Sequence, residues 1–378
     1  MDKVFYRDTW AEINLSAIKD NIQAVSRLYQ GREVHVMAVV KANGYGHGAI
    51  EVAKAALDAG ATHLAVALLD EAIELRQAGI VAPILVFGRI RPEDAVVAAK
   101  WQVILTVYQL EWLKIANESL SQDTRIQVHL KIDTGMGRVG MRNEEDVQSV
   151  LDFIQESTVF ELNGIYTHFA TADELNTSYV EKQYSRFLTI LTLLEERKIQ
   201  IPFIHCGNSA TGLRFPEKVF NLFRFGISLY GLTPSPEITE ELPIILKPAF
   251  TLKTKIVQVK QLPADECISY GATYQTTKDE WIATIPIGYA DGWIRHNSTK
   301  GGEVLVNGER APFVGRICMD QCMIRLPEPV EVGTVVTLIG EDGEDSISME
   351  EVAKRLDTIN YEVPCIISAR VPRLYVER

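Results

Sequence analysis

"HVMAVVKANGYGHGAIEVAKAALDAG", residues 35–60, sets the frame for the whole chain. Val36–Val40 is a short run of mostly apolar residues and reads as a buried strand. Lys41 stands where the strand ends. Glycines follow at 44, 46 and 48, and then helical spacing begins. Strand, glycine-rich turn and helix make one βα unit. An ammonium group at the end of a buried strand is costly unless something compensates it, so Lys41 demands an explanation.

The same alternation continues outward. Strand-like runs recur at "HLAVAL", "PILVFG", "VILTV", "IQVHLKI", "LNGIYTHF", "FIHCGN" and "LFRFGISLYG". Most gaps carry helical spacing, as in "DEAIELRQAG", "EEDVQSVLDFIQES" and "YVEKQYSRFLTILTLLEERK". Eight strands with intervening helices imply parallel βα units, and eight close a (β/α)₈ TIM-type barrel. An open doubly wound sheet is the runner-up, and the strand count is the main discriminator.

The pattern changes near Pro243. Beyond "ELPIILKPAF" the runs ("TLKTKIVQVKQL", "EWIATIPIG", "GEVLVNGERAPFVG", "TVVTLIG") read as antiparallel strands with Gly, Pro and Asn-Gly turns. A short helix is expected at "SMEEVAKRL", with Ser348 as cap and Glu351 in capping-box position. The boundary falls within 240–248, giving a barrel domain of 1–244 and a mainly β domain of 245–378. "TWAEINL", residues 9–15, is expected to return and pair with the second domain.

The totals narrow the class. With 378 residues and 47% hydrophobic content, the chain suits two domains and needs no covalent staple. A net charge of −12 disfavours nucleic acid and anionic membranes as partners. No apolar run approaches the ~18 residues of a membrane helix. The N-terminus lacks the apolar core of a signal peptide. Cys206, Cys267, Cys318, Cys322 and Cys365 form no disulfide or zinc spacing, so a reduced, cytoplasmic protein without a metal is expected.

Chemistry in a barrel gathers at the C-terminal strand ends. There stand Lys41, Lys131 with Asp133, His168, His205 with Ser209, and Arg224. A lysine so placed can bind phosphate, act as a base or form a Schiff base. Backbone amides of Gly226 and Ile227 with the Ser209 hydroxyl suit a phosphate dianion. Together with an arginine available to a ring nitrogen, these suggest pyridoxal phosphate. "GMGRVG", residues 135–140, matches a dinucleotide fingerprint in letters only. "MRNEED" intervenes before any helix, and the motif is not in a first βαβ unit.

These motifs resemble the bacterial alanine racemases of the fold-type III pyridoxal-phosphate class. "AVVKANGYGHG" is similar to the family's cofactor-lysine signature, "HLKIDTGMGRVG" to its central segment and "RFGISLYG" to its eighth-strand segment. "ISYGATY", "TIPIGYADGW", "VGRICMDQ" and "INYEVPCIISARVPR" match its second domain, so the likeness spans nearly the whole chain.

The resemblance implies a homodimer with shared active sites that interconverts L- and D-alanine and supplies D-alanine for peptidoglycan. It implies that Lys41 holds pyridoxal 5'-phosphate as an imine, that Arg224 faces the pyridine nitrogen and that Arg138 reaches the phenolic oxygen. Tyr45, Ser209, Gly226, Ile227 and Tyr361 would hold the phosphate. His168 would back the ring, and His205 would hydrogen-bond Arg224. Tyr270 of the partner chain would be the second base. The Met319 backbone would receive the substrate carboxylate beside Cys318, with Tyr289 at the entrance. Lys131 matches a position often carbamylated in the family. His35, His63 and His129 fit no motif and read as structural.

The residue types suit the reaction. Removing an α-proton leaves a carbanion that the cofactor ring absorbs. Returning a proton to the opposite face calls for a second base. A permanent cation at the ring nitrogen weakens the electron sink, which should suppress transamination and decarboxylation. The alternative hardest to exclude is a racemase for a related amino acid such as serine or lysine. The second domain and Tyr270 argue against a non-racemising pyridoxal-phosphate barrel, and Arg224, where an acid would be expected, argues against a two-domain decarboxylase.

Overall fold

The computed structural model describes residues 5–378. The chain divides into two compact units.

The larger unit takes residues Ala17–Gly44 and Ala49–Lys247. After the strand β1 (Thr9–Asn14), which lies outside it, eight parallel strands follow in order: β2 (His35–Val39), β3 (His63–Val66), β4 (Ile84–Val86), β5 (Ile104–Val107), β6 (Ile126–Lys131), β7 (Phe160–Tyr166), β8 (Phe203–His205) and β9 (Leu222–Phe225). Each pairs with the next from β2 to β8, and β9 pairs with β2. The Arg224 amide also donates to the Gly207 carbonyl just past β8, at 3.0 Å, so the two ends of the sheet meet. This is the expected (β/α)₈ barrel. Its strands are largely buried because barrel interior and helix layer cover both faces, and the buried polar residues His129, Lys131, Asn163, His205 and Arg224 lie within them.

Amphipathic helices alternate with the strands, among them Ala49–Asp58, Leu69–Gln77, Glu144–Glu156 and Ser178–Glu196. In Glu144–Glu156 the buried residues are Val147, Val150, Leu151 and Ile154, the three-and-four spacing of a helix laid on a sheet. Asn143 caps it by accepting from the Asp146 amide.

The second unit takes the residues up to Ser16, Tyr45–Gly48 and Pro248–Arg378. Its main sheet runs Glu309–Pro312, Glu303–Val306, Val335–Asp342, β10 (Phe250–Lys255), β1 and Arg373–Val376. β1 is antiparallel to β10 and parallel to Arg373–Val376, which is the pairing expected of "TWAEINL". Thr9, Ala11 and Ile13 are buried while Trp10, Glu12 and Asn14 are partly exposed, the period of two of a one-sided sheet. Glu280–Ile285 pairs on either side with Gln258–Leu262 and Cys322–Leu326 in a second sheet.

One expectation needs correction, and the expected division at 1–244 and 245–378 differs in detail from the compact units. β1 and residues 45–48 group with the β-rich unit, and the barrel unit runs on to Lys247. The capping box at Ser348 is only half made. Ser348 accepts from the Glu351 amide, but the Glu351 carboxylate turns to Arg310 and Arg355, whose charge outcompetes a backbone N–H.

Candidate active site

Lys41 follows β2 and is half-buried, less enclosed than its strand suggested. Its surroundings explain the cost of the turn behind it. Ala42, Asn43, Gly44 and Tyr45 all take left-handed φ, between 50° and 61°. For the residues with a Cβ this costs about 1–2 kcal/mol each. Hydrogen bonds offset it. Glu71 Oε1 accepts from the Ala42 amide at 2.6 Å, and its Oε2 accepts from Ala67 and Leu68 at 2.8 and 3.0 Å. The Asn43 side chain accepts from the Ala49 amide at 3.0 Å, starting the next helix. Glu71 was missed in the sequence. The available signal was a glutamate three residues after the strand-to-helix turn at Leu68, a position that reaches back to free amides.

Arg224 lies inside the barrel at 4% exposure. Its Nη1 donates to His205 Nδ1 at 2.8 Å. Its Nη2 donates to the carbonyls of Thr167 and Cys206 and to His168 Nδ1, at 3.0, 3.1 and 3.2 Å. The Tyr166 ring lies 5.3 Å from the guanidinium. Every one of these acceptors is neutral. Burial pushes the Arg224 group down to about 10, opposed by nearby Tyr166 and Cys206. His168 is driven well below its usual range, first by desolvation and then by Arg224, Arg138, Lys131 and Lys41. Four cations therefore act on one imidazole.

Lys131 ends β6 at 3% exposure and donates to the Ile132 carbonyl at 2.7 Å. Desolvation, with Arg224 and Arg138 adding and Asp133 opposing, lowers it to about 7. Asp133 itself serves the turn: its Oδ1 accepts from the Gly135 and Gly137 amides at 3.0 Å each. The "GMGRVG" glycines thus build a carboxylate-clamped loop that carries the exposed Arg138. Ser209 opens the helix Ser209–Arg214, whose cap is Asn208. The Gly226 amide donates to Ser209 Oγ at 2.9 Å and the Ser228 amide at 3.4 Å. The buried Ser228 hydroxyl has no hydrogen-bond partner among the described residues. Hydroxyls and amides gathered this way match the chemistry of a phosphate cradle.

The remaining candidates belong to the β-rich unit. Tyr45 and Tyr361 bring their rings to 6.3 Å. Gly46 permits this packing: at φ +80° any Cβ would sit 2.0 Å from the Pro364 carbonyl oxygen. Tyr270 projects from the loop of the hairpin Cys267–Ile268/Tyr274–Gln275 and is 70% exposed. Ser269 fixes that loop by donating to the Arg316 carbonyl at 2.6 Å, and its Oγ lies 3.6 Å from Cys318 Sγ. Tyr289 and Ala290 donate their amides to the carbonyls of Cys318 and Met319, at 3.1 and 3.0 Å. Tyr270, Cys318, Met319 and Tyr289 are thereby tied together, with Arg316, which the sequence reading passed over. Tyr289 and Met319 are exposed at 44% and 53%.

Comparison with known proteins decides the family. Residues 13–234 match the family model "Alanine racemase, N-terminal domain", and residues 249–375 match "Alanine racemase, C-terminal domain". The chain belongs to the alanine racemase family. It is accordingly an isomerase. An alanine racemase of Halalkalibacterium halodurans is 61% identical over 371 residues, covering 98% of this chain and 96% of that one. The alanine racemase of Geobacillus stearothermophilus is 55% identical, covering 98% and 94%. A crystal structure of the Bacillus anthracis alanine racemase with bound L-Ala-P superposes with a TM-score of 0.96 at 50% identity, covering 99% and 96%. A histidine racemase from Leuconostoc mesenteroides also superposes, with a TM-score of 0.93 at 34% identity, covering 99% of each chain.

The Glu71 clamp is open to test. Glu71→Leu strands three amides, two of them exposed, and should lower the unfolding free energy by about 1–3 kcal/mol. Glu71→Gln keeps one acceptor oxygen and should cost less. Urea unfolding of the two variants against the parent measures both, and equal stability of all three would contradict the clamp.

Proposed function

We propose that the chain is a pyridoxal-phosphate-dependent racemase interconverting L- and D-alanine with two bases, Lys41 and the partner subunit's Tyr270. The observation that carries this reading is the set of basic side chains around His168 together with an Arg224 held only by neutral acceptors. Such a centre suits an anionic ligand with an unprotonated ring nitrogen. The residues fit the cofactor: Lys41 is the amine for its aldehyde, Ser209 with the amides of Gly226 and Ile227 would hold its phosphate along with Tyr45 and Tyr361, and Arg138 would reach its phenolic oxygen. His168 would lie behind the ring. When bound, the cofactor withdraws the electron pair left on the α-carbon.

The chain's own residues then handle the protons. Lys41 Nζ takes or gives one on one face of the α-carbon. The phenol oxygen of the partner subunit's Tyr270 does so on the other. The backbone of Met319, beside Cys318, would receive the substrate carboxylate, and Tyr289 would stand at the entrance. Arg224 contributes a charge that stays in place, with His205 as its acceptor. The high exposure of Tyr270 on a single chain accords with use by a second copy. Supply of D-alanine for peptidoglycan follows as the role of such an enzyme, and a cytoplasmic location accords with it. The likeness to a histidine racemase favours assaying several amino acids, and a larger rate on one other than alanine would redirect the substrate assignment.

Lys41→Ala and Tyr270→Ala should each lose most racemisation alone. After dissociation and mixing, about half of the dimers should be hybrids with one intact site, by the two-fold symmetry of the pair. Activity should recover to roughly a quarter of the parent's on the same count. No recovery, with hybrids proven by mass spectrometry, would overturn the shared site.

We infer that Lys131 reacts with carbon dioxide. With its amine lowered to about 7, the neutral form grows as pH rises through that value. Attack on CO2 forms an N–C bond and releases one proton, giving a carbamate that Arg224 and Arg138 attract where they repel the ammonium. In ¹³C-bicarbonate, a carbamate signal should appear above neutrality, fade below it and vanish in Lys131→Ala. Its absence at alkaline pH would contradict the assignment.

A further inference from the structure

His129 fits no motif, and Asn163 carries none; His129 nevertheless bonds His205, the acceptor of Arg224, and Asn163 bonds His129. Their geometry says more. Arg224 can only donate, so its 2.8 Å bond to His205 makes His205 Nδ1 an acceptor. A neutral imidazole then carries its proton on Nε2. That nitrogen lies 2.9 Å from His129 Nδ1, which must accept. The His129 proton is therefore also on Nε2, 3.0 Å from Asn163 Oδ1. Both histidines are fully buried and held below their usual range, His129 down to about 4, by desolvation first, so both are neutral. Every bond in the chain points one way, from Arg224's acceptor back to the Asn163 carbonyl oxygen.

The backbone is built for this chain. The pairing of β6 with β7 slips between Val128 and His129: Val128 faces Leu162, but His129 faces Gly164. Asn163 is the extra residue of a bulge, a device that re-aims one side chain and is rare between parallel strands. Gly164 completes it. A Cβ there would lie 2.5–2.7 Å from three atoms of the His129 ring, so only glycine leaves the ring its seat. The Tyr166 ring stacks on His205 at 4.6 Å and 3°, fixing the plane in which both its nitrogens must bond.

We propose that Asn163 and His129 are positioning residues that lock His205 in its Nε2–H tautomer and so hold Arg224 in place. The other tautomer would aim an N–H at the guanidinium, donor against donor. Asn163 excludes it from two residues away, because its carbonyl oxygen fixes His129, and His129 Nδ1 accepts only from a His205 that carries its proton on Nε2. The effect on catalysis rests on the function proposed above, but the tautomers do not.

¹⁵N-histidine NMR of the cofactor-free protein near neutral pH reads them directly. The parent should show His205 and His129 protonated on Nε2 with lone pairs on Nδ1. A proton on His205 Nδ1 would overturn the proposal whatever the enzyme's activity. Asn163→Leu removes the acceptor at nearly equal size. Exchange of the His205 Nε2 proton should then quicken at least about tenfold, the scale of one buried hydrogen bond left unmade. In the loaded enzyme kcat should fall about tenfold while KM stays within about twofold, since the relay ends on Arg224 rather than at the substrate carboxylate. Unchanged exchange and unchanged kcat would overturn the role. Should Asn163→Leu not fold, Asn163→Ser, which keeps a shorter-reaching acceptor, should show a smaller shift in the same two readouts, and parent-like values in both would count against the proposal.

Discussion

Among the described residues the buried Arg224 guanidinium has no carboxylate partner, and the barrel interior is arranged around that constraint. Stranding such a charge in a low-dielectric core is costly, and the chain compensates with three backbone or imidazole acceptors on one amino group, an imidazole on the other and the face of Tyr166. Each compensation has consequences further out. His205 can accept only in one tautomer. His168 is left as a neutral group among cations. Lys131, lowered first by burial and then by the same charge, falls to about 7. A carboxylate partner for Arg224 would offset its part of these effects, while the larger part, burial, would remain.

The fold was legible because its signals are local. Short β-branched runs alternating with helical spacing announce a βα repeat, and eight of them announce closure. The return of β1 to the β-rich unit was also visible, since "TWAEINL" has the alternation of a one-sided strand with no partner nearby in sequence. What could not be read are pairings made through space by residues with no periodicity of their own. Glu71 reaches Ala42 across 29 positions, and His129 reaches His205 across 76. A bulge in a parallel pair leaves no mark in composition, so nothing in the strand-like run "LNGIYTHF" sets Asn163 apart. Tyr45–Gly48 lies too short a distance from Lys41 for a domain boundary to be suspected there, yet it groups with the other unit.

The candidate site shows the same division. Residues in long motifs, Lys41, Arg138, Arg224, Tyr270 and Met319 among them, could be named from their neighbours in sequence. Asp133 could be named but not understood: a carboxylate at a strand end reads as a reacting group, and here it clamps two glycine amides. Rigid support of this kind suits the proposed two-base racemisation, in which each proton carrier must meet the α-carbon in a fixed geometry.

We propose that the fixed Arg224 cation, standing where an acid would, keeps the cofactor a weak electron sink and the reaction a racemisation. Arg224→Glu tests it most directly, with folding of the variant established by circular dichroism. Alanine racemisation and pyruvate formed by side transamination are measured on the same preparation. Racemisation should fall while the ratio of pyruvate to racemised alanine rises well above the parent's. A variant that racemises more slowly at an unchanged product ratio would contradict the proposal.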